Sequence, residues 1–174
     1  MAKITGILCQ IITGNLEGAG TDGSVYLGLG GREFRLDSVE DDYEKGSWRE
    51  YIMGVGPVEP TLPPPQIRVN NKDQNDPRLG FPLDTVNLVR TPVYIRFEPE
   101  GSGDRWNLSF AAALVYSGQF VVGYTAPADF DNLWFGQATG KILYLTDEWW
   151  RGDQMILDIG QRLAAGAAKY TSRT

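Results

Sequence analysis

Hydrophobic and polar positions alternate along this chain in short runs, and turn residues separate the runs. Ile4 to Thr13 is rich in β-branched residues and ends at Gly14-Asn15, which predicts a strand followed by a turn. Ser24 to Leu29 places Val25, Leu27 and Leu29 on one face and Tyr26 and Gly28 on the other. Glu33 to Leu36 follows across Gly30-Gly31 as a hairpin partner. Trp48 to Met53 and Gln66 to Val69 are further strands, and Val93, Ile95 and Phe97 are expected to face inward while Arg96 and Glu98 face water. In the next strand Leu108, Phe110, Ala112 and Leu114 are expected to share one face. Gln119 to Tyr124 and Lys141 to Thr146 complete the set.

Strands spaced by turns, with no βαβ unit, predict an all-β chain folded as an antiparallel sandwich. The expected organisation is one domain over residues 1–174, with a Pro-rich insertion at 55–83 and a C-terminal tail at 153–174. Asn70 to Pro77 makes the second half of that insertion rich in Asn and Asp. In the tail, Ile156, Ile159, Leu163 and Ala167 have helical spacing and Asp153 is a suitable cap, so a short docked helix is expected there.

Composition narrows the chemistry. Histidine is absent, which removes the usual general base, the usual zinc ligand and the commonest activator of a nucleophile. Hence no catalytic activity is expected. The lone Cys9 has no internal partner and lies in an apolar run, as a small buried thiol does. A net charge of −6 without any basic stripe excludes nucleic acid as a partner. No leader-like segment precedes the first strand, so the chain is expected in the cytoplasm, with leaderless export left open. Its longest apolar run, Phe110 to Tyr116, is too short to cross a bilayer, which makes any membrane association peripheral.

Several short motifs carry little. Pro57 to Pro60 spells PxxP within a stiff loop, and Arg151-Gly152-Asp153 is a tripeptide that arises readily by chance. Asp147 and Glu148 are adjacent and point apart on a strand end. Gly28-Leu29-Gly30-Gly31 has no helix after it and so is no dinucleotide fingerprint. Trp134-Phe135 and Trp149-Trp150 serve either as core or as exposed aromatic contacts.

One constellation is more specific. Gly18-Ala19-Gly20-Thr21-Asp22-Gly23 runs directly into the alternating strand Val25 to Leu29, and Asp41-Asp42-Tyr43-Glu44-Lys45-Gly46-Ser47 follows about twenty residues later. Together they resemble the opening of a PLAT (lipoxygenase-homology) domain, and are similar to the lipid-binding domain of clostridial phospholipase toxins. That resemblance implies a PLAT-type sandwich whose loops hold calcium and dock it onto a phospholipid surface or a protein partner. It further implies that Gly20 and Thr21 supply carbonyl or hydroxyl oxygens and Asp41 and Asp42 supply carboxylates. Asp104 would supply a ligand from a third loop, and Asp22 would either coordinate or brace its loop.

Calcium takes six to eight hard oxygens in flexible geometry, which carboxylates, Gly-rich turns and water can provide. The chain departs from the toxin pattern at Gly18, where those domains tend to carry an acid; Glu17 is the adjacent carboxylate. Arg105 also places a positive charge beside Asp104. The competing expectation is a calcium-independent structural or assembly subunit of a multi-protein particle, with the insertion and tail as contact surfaces. Neither reading fixes an oligomeric state.

Overall fold

A computed structural model describes residues 2–55, 65–118, 120–127 and 132–147. Ten strands and one short helix follow the chain as β1 (Gly6–Thr13), β2 (Ser24–Leu29), β3 (Arg32–Arg35), β4 (Trp48–Gly54), β5 (Gln66–Arg68), α1 (Thr85–Leu88), β6 (Val93–Glu98), β7 (Trp106–Ser117), β8 (Phe120–Thr125), β9 (Leu133–Phe135) and β10 (Ile142–Leu145). The larger sheet has the order β5-β4-β1-β7-β8, with β9 pairing the start of β7. The smaller has the order β10-β6-β2-β3. All pairings are antiparallel except β4 with β5.

The two sheets pack face to face over one apolar core. Val25, Leu27 and Leu29 face Ile7, Cys9 and Ile11 across it, each no more than 2% exposed. Burial pushes the Cys9 thiol pKa up, as expected of an inert core cysteine.

The expected single face for Leu108, Phe110, Ala112 and Leu114 is corrected by a β-bulge. Thr13 pairs with Leu108 but Ile12 pairs with Phe110, so Ser109 is the extra residue and the alternation of β7 reverses there. Trp106 and Leu108 therefore enter the core, and after the bulge Ala111, Ala113 and Val115 do so. Phe110 and Ala112 turn to the outer face and join Ile12 and Trp48 in a second cluster.

The described part of the 55–83 segment is integral to the sandwich. After β5 it runs along the open side between the edge strands β3 and β5. Asn70 N–H donates to the Asp37 carbonyl at 2.7 Å, and Arg35 N–H donates to Asn75 Oδ1 at 2.9 Å. Arg32 fastens it, donating to the carbonyls of Gln74, Asp76, Leu79 and Phe81 at 3.0–3.2 Å. Leu83 then reaches β1's entrance, where Ile4 N–H donates to its carbonyl at 3.0 Å. Asp84 caps α1 through a reciprocal bond with Asn87. The prolines at 57–64, the Trp149-Trp150 pair, Glu148, the 151–153 tripeptide and the expected tail helix lie outside the described residues.

Candidate metal centre at the loop end

Loops 14–23, 36–47 and 99–105 meet at one end of the sandwich, above an aromatic core layer. Trp106 is fully buried there, its ring centroid 5.4 Å from Tyr43, 5.4 Å from Phe135 and 5.9 Å from Phe97. Its indole N–H donates to Thr13 Oγ1 at 3.0 Å, so the polar edge of the ring is satisfied. These contacts give the loops a rigid floor.

The first two loops are sewn together by backbone. Gly46 N–H donates to the Gly14 carbonyl at 3.0 Å, and Thr13 N–H donates to the Ser47 carbonyl at 2.9 Å. A Cβ on Gly20 would lie 3.2 Å from the Tyr43 carbonyl oxygen, a spacing that only glycine meets comfortably. Tyr43 itself is left-handed, at φ 65°, with its ring buried and its hydroxyl donating to the Leu36 carbonyl. Driving this aromatic inward turns its acidic neighbours to different surroundings.

Asp41 and Glu44 face solvent and meet Asp22 from the first loop. The three carboxylates offer oxygens that all lie within 4.8 Å of one another. Asp22 and Asp41 line one side of a polar cleft of roughly 170 Å³ that also includes Arg35, Asp37, Glu40 and Asp42. Like charges this close repel unless a cation lies among them.

Asp42 turns inward. It accepts from Ser38 N–H at 2.6 Å, Ser38 Oγ at 3.0 Å and the Tyr51 hydroxyl at 3.1 Å. Burial raises its pKa against the lowering effect of those bonds, and Asp37 nearby raises it further. Thr21 donates its hydroxyl to Asp104 Oδ1 at 2.7 Å, while Thr21 Oγ1 accepts from Gly23 N–H at 2.9 Å. Asp104 Oδ2 accepts from Glu100 N–H at 2.9 Å.

The structure thus brings Gly20, Thr21, Asp22, Asp41, Asp42 and Asp104 to one end but divides their work. Asp22 and Asp41 are open to a ligand. Thr21, Asp42 and Asp104 spend their oxygens on loop structure, and Gly20 provides the close approach. Glu44, absent from the expected ligands, completes the open cluster. Its signal in the sequence was the aromatic Tyr43 set inside an acidic run. The donor set is hard oxygen throughout, exposed to water that can fill further positions, and so fits calcium in kind.

Fold and site define the class of this chain as an antiparallel β-sandwich with an acidic loop end. No protein-family model matches it, and no curated protein matches it. Among solved structures it is similar to alpha toxin from Clostridium absonum, with TM-score 0.51 and 19% identity over 83% of this chain and 32% of the toxin. It is also similar to a lipoxygenase (LOX) deletion variant, with TM-score 0.45 and 16% identity over 81% of this chain and 16% of that one. The same figures hold for that variant in complex with arachidonate. The toxin likeness defines the fold, which is the PLAT-type sandwich that the sequence resemblance implied. The chain spans about a third of the toxin's length.

Proposed function

We propose that this chain is a non-catalytic docking module that binds calcium through Asp22, Asp41 and Glu44 and thereby attaches to a phospholipid surface. The observation that carries this reading is the convergence of three solvent-facing carboxylates from two loops at one end of the fold. Bound there, calcium would neutralise the cluster and offer open coordination positions to lipid oxygens. Two exposed apolar side chains support a membrane rather than a purely polar partner: Val39 on the second loop is 92% exposed and Leu16 on the first is 44% exposed. Among the described residues no helix is long and apolar enough to cross a membrane, so attachment through the loops would be peripheral.

The non-catalytic part rests on the absence of histidine and on the state of the perturbed acids. Asp42 and Glu50 both have raised pKa values, through burial, yet each is engaged separately by hydrogen bonds. The partners of Asp42 lie under the loops, whereas those of Glu50 lie on the outer face of the large sheet. They share no cleft in which a substrate would meet both. The reading as an assembly subunit has one observation in its favour. Leu79, Phe81 and Val89 are 44%, 64% and 82% exposed at the opposite end of the sandwich.

A thermal melt in calcium and then in chelator tests the proposal. Calcium at a hundred times its dissociation constant stabilises by about 2.7 kcal/mol, a shift of several degrees for a chain of this size. Vesicle co-sedimentation is expected to follow the same calcium dependence. No shift and no sedimentation at millimolar calcium would overturn the docking reading and leave the assembly subunit.

A further inference from the structure

The guanidinium of Arg105 is held differently from those of Arg32, Arg35, Arg78 and Arg96. Arg35, Arg78 and Arg96 are paired with carboxylates, and Arg32 is spent on backbone carbonyls. Among the described residues Arg105 has no such acceptor. Its Cζ sits over the Trp134 ring, 4.5 Å from the centroid. Its Nη2 lies 3.3 Å from where a Cβ would stand on Gly18, so the guanidinium packs closely over that glycine. Gly18 is left-handed, at φ 69°, which disfavours any other residue there.

We propose that Arg105, seated on Trp134, is a subsite for the phosphate of a membrane phospholipid, distinct from the residues that would hold calcium. The proposal rests on the docking reading above and adds the headgroup contact. A guanidinium presents five N–H donors in a planar fork that matches phosphate oxygens, and no acceptor among the described residues takes up the donors of Arg105. The ring beneath limits its rotamers, so less freedom is lost when an anion binds. Arg105 directly follows Asp104, which is tied to Thr21 beside the Asp22 carboxylate. A phosphate drawn to a cation on the acidic cluster therefore arrives at the end where Arg105 waits.

The choice of lipid over a free anion comes from what surrounds the pair. Val39 and Leu16 extend from loops of this same end, and a soluble phosphate would leave both without a partner. Trp134 is half-buried beside Arg105 and has the amphipathic ring that favours a membrane–water interface. The chain's net charge of −6 makes a lone anion contact unfavourable unless a cation neutralises the neighbouring carboxylates.

The test is co-sedimentation with vesicles of equal parts phosphatidylserine and phosphatidylcholine in saturating calcium, for the wild type, Arg105→Gln and Arg105→Lys. Arg105→Gln is expected to weaken vesicle binding about tenfold, while its melt in chelator and its calcium-induced shift stay as in the wild type. Arg105→Lys is expected to recover part of the loss, since it keeps the charge without the fork. Equal vesicle binding by wild type and Arg105→Gln would overturn the subsite and leave the docking reading intact. A wild type that does not sediment with vesicles in calcium would overturn both. Stabilisation by inorganic phosphate alone, lost in Arg105→Gln, would overturn the lipid assignment in favour of a soluble anion.

Discussion

Thr21 Oγ1 donates to Asp104 Oδ1 at 2.7 Å, so the first and third loops of the acidic end are joined by one charge-assisted hydrogen bond. The bond spans 83 residues of sequence and is largely withdrawn from water, with Thr21 only 6% exposed. Replacing Thr21 with valine keeps the shape and removes the donor. The loss is expected to be about 1–3 kcal/mol, because Asp104 is then left with an unmet acceptor. Chemical denaturation measures it; an unchanged midpoint would show that the loops hold without the tie.

Asp41 and Asp42 are expected to separate cleanly by variant. Asp41→Asn removes an exposed carboxylate of the cluster and is expected to abolish the calcium shift with little effect on the melt in chelator. Asp42→Asn disturbs three hydrogen bonds from Ser38 and Tyr51 and is expected to lower stability by about 1–3 kcal/mol. Its calcium shift should survive wherever the protein remains folded. Paired melts of the two variants decide the matter, and an exchange of phenotypes would move the metal to Asp42.

That division shows where the sequence is readable and where it is not. Val25 to Leu29 and Val93 to Phe97 could be read from alternation because each presents one uninterrupted face to the core. The long strand β7 could not, since the extra residue Ser109 reverses the facing without leaving a mark in composition. Leu133 to Phe135 is too short to show a period, so β9 looked only like an aromatic pair. At the site, two adjacent aspartates are chemically identical on paper. What separates them is the left-handed turn at Tyr43, which is set by aromatic packing against Trp106 and Tyr51 from distant strands.

Arg32→Ala is expected to release the segment that closes the side of the sandwich. Four carbonyls between Gln74 and Phe81 lose their common donor, while the ends of the segment stay anchored at Asn70 and Leu83. The expected cost is about 1–3 kcal/mol, since the site is partly solvated and the bonds are not additive. Hydrogen exchange read peptide by peptide should accelerate over 72–82 and stay unchanged in β1 and β7. Uniform acceleration would show that the segment is part of the global unfolding unit.

The outer face of the large sheet carries a buried acid whose titration should be visible in stability. Glu50 accepts from Gln10 Nε2 at 3.2 Å and from Gln66 Nε2 at 2.8 Å, but no cation pairs with it among the described residues. Burial raises its pKa above the ordinary value of 4.5, and the two amide bonds only partly offset this. In the unfolded chain the carboxyl ionises at its ordinary value, so just above that value the folded state holds the extra proton. Folding stability from this group is therefore fully present below the unfolded pKa and falls as pH rises through the folded one. Glu50→Gln removes the titration. Gln10 Oε1 has no partner among the described residues, so a flip of the Gln10 amide lets it accept from the new side chain. Relative to wild type, Glu50→Gln should gain stability as pH rises above the ordinary carboxyl value of 4.5, with the gain levelling off above the folded pKa. Urea midpoints of both proteins across that rise in pH measure the difference. A constant offset at every pH would show that Glu50 ionises alike in the folded and unfolded chains.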